Sequence, residues 1–504
     1  MFKEEEMGKS VIIIGAGLAG LSAGCYGQMN GYKTRILEMD NARPGGLCTS
    51  WKRKGYTMDG CIHMLMGSRT GMFHRFFQEL GAVQDLRIVD HEEYIRVEGT
   101  GGKTLIVYAD LDRLEQHMKE LSPADAGVIE EICNIARIFT HNEFVPEKPM
   151  ELMGLLDKLK MLTKMQMIRA MSKYGKISIQ DYALRFSDPF LREAFPRIFE
   201  ELPDLPMSVA LLQLADLHNR NRGLPIGGSL ELARAIERRY LNLGGEVHYK
   251  SRVDKILVDD DRAVGVRLTD GTEHNADIVI SAADGRTTIF DMLEGKHIND
   301  KIRSYYNEWP ICGAFLQISL GVARDFSNEP HSVMLPFDEP INVGDKKRSW
   351  VHMRHYCYDP TMAPSGKSVF TVYFVNVDHK YWKELYEDRQ RYKAEKQGIA
   401  DAVIDQMEKR FPGIKDEIEV VDVTTPVTYE RYTGTWQGSY MGWGTTTETI
   451  IKWMSRTLPG LGSFYMAGHW VFVGCGVNGA VMSGRHVMQV ICKKDNKKFV
   501  TSTP

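Results

Sequence analysis

Three glycines and one acid carry the clearest chemistry in this chain. The apolar run Val11-Ile12-Ile13-Ile14 leads into Gly15-Ala16-Gly17-Leu18-Ala19-Gly20, and a helical stretch follows from Leu21 to Asn30. Gly-x-Gly-x-x-Gly at a strand-to-helix junction suits a dinucleotide: Gly15 for a tight turn, Gly17 for approach of backbone to a pyrophosphate, Gly20 for close helix–strand packing. The N-terminus of that helix presents free N–H groups and the positive end of its dipole to the anion, and Leu18 and Ala19 in the turn ahead of it join the cofactor site. Glu38 closes a second strand, Lys33 to Glu38, where a carboxylate accepts hydrogen bonds from a ribose diol, which favours FAD or NAD over a 2′-phosphorylated cofactor. The glycines alone are a weak signal. Strand, glycines, helix, second strand and acid in register are a strong one.

The elements that position this site need a large scaffold. At 504 residues the chain is long enough for two to four domains or one elaborate discontinuous one. Lys and Arg number 63 against 66 Asp and Glu, so a net charge of -3 gives no global attraction to nucleic acid or to an acidic membrane. The eight cysteines include no Cys-x-x-Cys, which argues against a zinc site or a disulfide framework and fits a reducing cytosol. No metal site is expected. Met1 to Ser10 is charged and runs directly into a strand, leaving no room for a signal peptide, and no apolar run approaches the roughly 20 residues that span a bilayer. The expectation is a cytoplasmic protein, peripheral at most at the inner face of the membrane.

Along the chain, Gly101 to Tyr108 reads as a strand, followed by helices over Asp112 to Glu120 and Ala124 to Thr140. Glu151 to Lys176 is a basic amphipathic helix, with Lys158, Lys160, Lys164, Arg169, Lys173 and Lys176 against Glu151 and Asp157: a surface helix of the substrate domain, a lid or an in-plane membrane contact. Pro225-Ile226-Gly227-Gly228-Ser229 precedes a helix from Leu230 to Asn242 that Gly244-Gly245 ends. Strands follow over Glu246 to Tyr249, Val253 to Asp259, Ala263 to Leu268 and Asn275 to Ser281. Further strands are read at Gly313 to Leu320 and Ser368 to Val377, one charged helix over Tyr381 to Lys409, a strand at Phe464 to Gly468 and a closing helix at Gly479 to Cys492. The division is a nucleotide domain in three pieces, 1–75, 225–300 and 456–504, interleaved with a substrate and lid domain at 76–224 and 301–455.

These motifs together resemble the phytoene desaturase-like branch of the amine oxidase type flavoproteins, which includes carotenoid desaturases, carotenoid isomerases and retinol saturases. The likeness rests on Gly15 to Gly20 with Glu38, on Arg43-Pro44-Gly45-Gly46, on Pro225 to Ser229 with Val253, and on Ala467-Gly468-His469-Trp470 through Gly484-Arg485. It implies a Rossmann-like, three-layer FAD domain with an α+β substrate domain, and FAD bound in an extended pose. Arg43, Gly45 and Gly46 resemble the positions at the FAD phosphates, and Val253 the one whose backbone meets adenine. Gly468, Gly476, Val477 and Asn478 resemble the segment that holds ribityl and pyrophosphate and aims a helix N-terminus at the flavin pyrimidine. Met39, Leu47, Asp59, Gly60 and Ala282 complete the cofactor set that the resemblance implies.

The chain departs from the family at His469, where many relatives carry an acid, and at Val473-Gly474-Cys475-Gly476, where Pro-Gly-Gly-Gly is frequent. His469 either replaces the missing carboxylate or faces the substrate. Cys475 reads as a small residue in a crowded turn. His63, in Tyr56 to His63, is the other candidate proton donor, titrating near neutrality, while Asp59 fixes the loop. Two aromatic clusters are read either as tunnel wall or as core: Tyr429, Tyr432, Trp436 and Tyr440 to Trp443, and Trp350 with His352, His355 and Tyr356. The implied activity introduces or reduces a carbon–carbon double bond in an apolar isoprenoid or lipid-like substrate. A flavin-dependent polyene cis-trans isomerase, an amine oxidase and a non-catalytic prenyl- or lipid-binding protein are the alternatives.

Overall fold

The computed structural model describes residues 8–504 except 85, 142–144, 200–201 and 451 and the side chains of 158, 161 and 162. The charged start Met1 to Met7 and the side chain of Lys158 therefore lie outside the described residues.

Five parallel strands carry the glycine run, in the order Glu246–His248, Lys33–Leu37, Ser10–Ile14, Ile278–Ser281, Phe464–Met466. Parallel neighbours require crossovers, so both faces of this sheet are covered and Val11 to Ile14 are buried throughout. The first helix, Leu18–Met29, is apolar on all sides and buried from Leu18 to Gly27. Its glycines admit close neighbours: a β-carbon on Gly24 would stand 2.7 Å from the Tyr240 ring, and one on Gly27 2.5 Å from Thr34 Cγ2. A β-carbon on Gly484 of the last helix, Gly476–Lys494, would stand 2.4 Å from the Ala19 carbonyl oxygen, so the last helix lies directly on the first.

The second layer is a seven-stranded sheet ordered Ile418–Thr424, Ala314–Val322, Ser368–Val377, Lys346–His355, Ser332–Val343, Glu93–Glu98, Thr104–Tyr108. Its strands are antiparallel neighbours except for Ser332–Val343 against Glu93–Glu98. The two long central strands divide by their two-residue period. Leu316, Ile318, Val372 and Phe374 pack with Ile399, Val403 and Met407 of the helix Arg389–Arg410, while Phe315, Tyr373 and Val375 point the other way, into a cavity. Helices Leu111–Leu121, Ala126–Thr140 and Met207–His218 share a further core.

Several sequence expectations change. The basic segment is not one helix: it breaks into Leu155–Leu162 and Met165–Tyr174 after a short turn at Met150–Leu152. The charged helix 381–409 is two helices, His379–Glu387 and Arg389–Arg410, because the Asp388 carboxylate accepts from the Gln390 and Arg391 N–H groups and caps the second. The strand at Gly101 begins only at Thr104, the glycines forming its turn. The helices read from Leu21 and Gly479 start three residues earlier, at Leu18 and Gly476, with glycine-rich turns leading into them. The division at 75/76 falls inside the helix Gly71–Glu79, whose Phe73, Phe76 and Phe77 pack in the same core as the first helix, and 300/301 falls inside Asp300–Glu308.

Candidate active site

One cavity of about 2060 Å³ runs between the two sheets, from the glycine turn to the aromatic face of the second sheet. At its nucleotide end Gly15 has φ +96°, the left-handed conformation that turns the strand into the helix, and its N–H donates to the Leu37 carbonyl at 2.8 Å. Gly20 does not line the cavity; a β-carbon there would sit 2.0 Å from the Gly15 carbonyl oxygen, so its role is close packing. Gly17 differs. Its φ of -64° suits any residue, and a β-carbon would meet nothing nearer than the Gly45 carbonyl oxygen at 4.0 Å. The first helix has no side-chain cap and no acid in its first turn, which leaves its leading N–H groups for an anion.

The second turn closes over the first. The Gly45 N–H donates to the Ala16 carbonyl at 2.8 Å, and Gly17 and Gly45 form a parallel bridge. Glu38 is buried; its carboxylate accepts from the Ala16 N–H at 2.6 Å and the Asp40 N–H at 2.8 Å, and burial raises its pKa above the ordinary carboxylate value. Met39, Arg43, Gly46, Leu47, Val253 and Ala282 line the same end. Arg43 is half-exposed and reaches Asp40 at 3.4 Å.

Gly468, His469, Gly476, Val477 and Asn478 line the cavity where the last helix begins. That helix too has no side-chain cap and no acid in its first turn. The Gly468 N–H donates to Ser483 Oγ at 2.8 Å, and Asn478 Nδ2 donates to the Met66 carbonyl at 2.6 Å. His469 Nε2–H donates to the Gly476 carbonyl at 2.6 Å, and burial lowers the imidazole pKa, so its neutral ring braces the glycine turn. Cys475 holds φ +63° at the helix start and faces the cavity, and the surrounding protein pushes its thiol up to about 11, so it stands as a thiol and not a thiolate.

On the substrate side His63 borders the cavity with its ring 4.6 Å from that of Tyr373, and Gly60 and Cys61 border it beside His63. Asp59, read from sequence among the cofactor residues, does not line the cavity. Its Oδ1 accepts from the Gly60 and Ser229 N–H groups at 3.0 and 3.1 Å, and its carbonyl accepts from Gln317 Nε2 at 2.8 Å. Ser229 Oγ in turn accepts from the Ile62 N–H at 2.8 Å, so Asp59 and Ser229 together set the loop that carries His63. Ser229 stood in the Pro225 to Ser229 motif without an assigned role. Gln317, Phe315 and Tyr373 had no sequence signal, because strands buried on both faces show no alternation.

Burial pushes the Asp59 carboxyl up to about 6, against about 3.9 in an unfolded chain. A raised acid favours the folded state below the unfolded pKa, and that contribution is lost as pH rises through about 6. Asp59→Asn keeps the acceptor oxygen without the charge. Thermal melts are expected to show the variant gaining on the wild type between pH 5 and pH 7.5; a constant difference across that range contradicts the assignment.

The aromatic clusters divide. Tyr429 and Tyr440 meet Phe315 at ring separations of 4.6 and 5.3 Å on the cavity wall, and Tyr432 stands exposed at its rim. Trp443 is core: it is fully buried, donates Nε1–H to the Trp470 carbonyl at 2.9 Å and packs with Trp309 and Tyr306, while Trp436 joins the same group. Trp350 is also outside the cavity, donating to Glu193 at 3.1 Å beneath Arg197. His355 and Tyr356 border a separate chamber of about 40 Å³ behind His63, where His91 and His331 stack at 3.7 Å. His352 accepts from Ser332 Oγ at 2.8 Å beside that chamber. Burial, then neighbouring histidines, lowers His91 to about 4 and His331 well below the ordinary value, so both rings are neutral.

The uncapped helix starts, the open space at Gly17 and the buried acid at the second strand suit an extended dinucleotide. The comparisons agree, with a match to the flavin containing amine oxidoreductase family over residues 18–492. The chain belongs to that family. Its cofactor is FAD, and it is an oxidoreductase. Within the family it is 26% identical to prolycopene isomerase 1 of an Oncidium hybrid cultivar, over 95% of this chain and 83% of that protein. It is 27% identical to the phytoene desaturase (neurosporene-forming) of Rhodobacter capsulatus, over 97% of this chain and 94% of that protein. The fold is shared with an oxidoreductase from Methanosarcina mazei, at a TM-score of 0.63 and 19% identity over 95% of this chain and all of that one.

Proposed function

We propose that this flavoenzyme transfers hydrogen at carbon–carbon double bonds of a long apolar polyene of the carotenoid class. The observation that carries the reading is the continuity of the cavity. Its volume exceeds the roughly 300–1,000 Å³ of a drug-sized pocket and runs from the FAD cradle to a wall of Phe315, Tyr373, Tyr429 and Tyr440. The cofactor residues are Gly15, Gly17 and the N–H groups at Leu18 and Ala19, with Glu38, Gly45, Gly46, Val253, Gly468 and the turn at Gly476 to Asn478. FAD supplies two-electron hydride chemistry when bound. His469 holds the turn through Nε2–H. His63, on the wall beside Tyr373, exchanges the proton at the carbon next to the one that exchanges hydride. Isomerisation of a polyene is the second reading, favoured by the similarity to prolycopene isomerase 1.

Product analysis tests both. Oxidised protein is incubated with a saturated-centre polyene and reduced protein with a poly-cis polyene, and products are separated and weighed. A change of two hydrogens marks the redox reaction, and altered geometry at constant mass marks the isomerase. Polyenes left intact while alkylamines become aldehydes contradict both.

The mouth of the cavity supports a peripheral membrane contact. Leu155 and Leu156 are each 75% exposed, with Met150, Leu159 and Met165 exposed beside them and Lys160 and Lys164 on the cavity rim. The helix Met165–Tyr174 is anchored through Met167, Ala170 and Tyr174, while Leu155, Leu156 and Leu159 of the preceding helix face outward. Apolar side chains over lysines suit the interface of an acidic bilayer, from which an apolar substrate would reach the cavity. No helix among the described residues is long and apolar enough to cross a membrane. Burying a leucine is worth about 1.5–3 kcal/mol, so Leu155→Ser with Leu156→Ser is expected to weaken vesicle binding on the order of 100-fold. Unchanged pelleting with phosphatidylglycerol vesicles contradicts the contact.

A further inference from the structure

Eight cysteines are spread along the sequence without a local pair, yet folding sets two of them against each other on the cavity wall. The hairpin Ser50–Arg53 and Tyr56–Asp59 pairs Ser50 with Asp59. The Gly60 N–H donates to the Thr49 carbonyl at 3.1 Å, which carries the register onward and sets Cys48 opposite Cys61. The Thr49 N–H turns back to the Leu47 carbonyl at 3.0 Å, so the ladder ends with this single bond. Cys48 and Cys61 are the next residues on either side of it, where a continued antiparallel ladder would bring facing Cα atoms to about 4.5 Å, within the span of a disulfide. The Cys61 thiol is the largest single influence on the Cys48 thiol, which places the two sulfurs near each other. Cys48 is 4% exposed and also donates to the Ser229 carbonyl at 3.4 Å; Cys61 is half-buried, and both border the cavity.

We infer that Cys48 and Cys61 are an oxidisable dithiol that closes to an intrachain disulfide, stapling the diglycine turn of the cofactor site to the loop that carries His63. Cys61, the more exposed, reacts first. Its thiolate attacks a small disulfide RSSR that reaches the cavity, forms a mixed disulfide and releases RS⁻, which takes up the proton that Cys61 lost. Cys48 then gives up its proton, attacks Cys61 Sγ and expels the second RS⁻, which is protonated in turn. The sum is two protein thiols plus RSSR giving one protein disulfide and two RSH: the protein is oxidised by two electrons and RSSR reduced by two. The order suits the thiols, because the contact with Cys61 and burial hold the Cys48 thiol well above the ordinary value. The cross-link would join the backbone that approaches the FAD phosphates to the substrate-side wall, so cellular redox state would act on the site directly.

The test treats the full-length protein, before and after FAD loading, with oxidised glutathione, then alkylates it in denaturant with N-ethylmaleimide and maps the peptides. Cys475 is exposed to the same cavity and serves as the access control, with oxidant raised until Cys475 is modified. The expected result is that the Cys48 and Cys61 peptides of most chains are recovered joined, two hydrogens lighter than their sum, and separate again with dithiothreitol. In Cys48→Ser, Cys61 accumulates as a glutathione mixed disulfide; in Cys61→Ser, Cys48 is alkylated alone. Cys48 and Cys61 both singly alkylated while Cys475 is modified, in the FAD-free and FAD-loaded protein alike, overturns the inference.

Discussion

Arg485→Met is expected to lower the stability of the protein by about 3–5 kcal/mol, the cost of leaving a buried charge without its partner. Arg485 and Glu79 are 2% and 3% exposed in their side chains, with Arg485 Nε 3.2 Å from Glu79 Oε2. The guanidinium also lies 4.6 Å over the Phe76 ring and donates Nη1–H to the Glu147 carbonyl at 2.7 Å. Glu79 keeps the Tyr26 hydroxyl at 2.7 Å and the half-exposed Arg75 at 3.1 Å, which cannot replace a fully buried cation. The pair joins the last helix to Gly71–Glu79, so its loss loosens the element whose N-terminus borders the cofactor end of the cavity. The measurement is the apparent melting temperature, with a fall of roughly 3–5 °C expected for a chain of this size. The double variant Glu79→Leu, Arg485→Met recovers most of that fall, because removing both partners leaves no unpaired charge. A single variant within about 1 °C of wild type contradicts the buried-pair account.

Gly17→Val is expected to separate cofactor binding from folding. The backbone at Gly17 has φ -64° and ψ 170°, which valine adopts without strain, and the β-carbon enters open space. The protein without FAD should melt within a few degrees of wild type. The added branch occupies the space through which a pyrophosphate approaches the first-turn N–H groups, and hydrogen bonds to a charged group are worth about 1.5–3 kcal/mol each. Losing two of them weakens FAD binding on the order of 100-fold or more. FAD fluorescence titration checks it. Wild-type affinity in the variant would mean that the cofactor does not cross the first helix at Gly17, whereas a misfolded variant would place Gly17 among the packing glycines.

What could be read from the chain was what its neighbours in sequence decide. The turn at Gly15, the helix after it and Glu38 at the end of the second strand lie within one βαβ unit, and each keeps its place in the fold. The charge pattern over 381–409 runs on through Asp388 as if in one helix, whereas the capping carboxylate of Asp388 ends one helix and begins the next. Tyr440 and Trp443 are three residues apart, yet one faces the cavity and the other is core, since the irregular chain between them shows no period from which a face could be inferred. Asp59 illustrates the same limit at a single residue. Its burial depends on Ser229 and Gln317, 170 and 258 residues away, whose approach only the tertiary fold produces. The pairing of Cys48 with Cys61 follows from hairpin register, not from cysteine spacing.

The central claim is that a carotenoid-class polyene binds against FAD in this cavity, and its most direct measurement is the visible spectrum of anaerobic, FAD-loaded protein as a poly-cis polyene is added, first with oxidised and then with reduced flavin. The account predicts that the polyene bands shift in the wild-type protein and stay unchanged in Gly17→Val, with reduction of the oxidised flavin marking a desaturase, reoxidation of the reduced flavin a saturase and unchanged flavin an isomerase. Polyene bands that stay fixed in both flavin states, while an alkylamine bleaches the oxidised flavin, would contradict it and make the protein an amine oxidase.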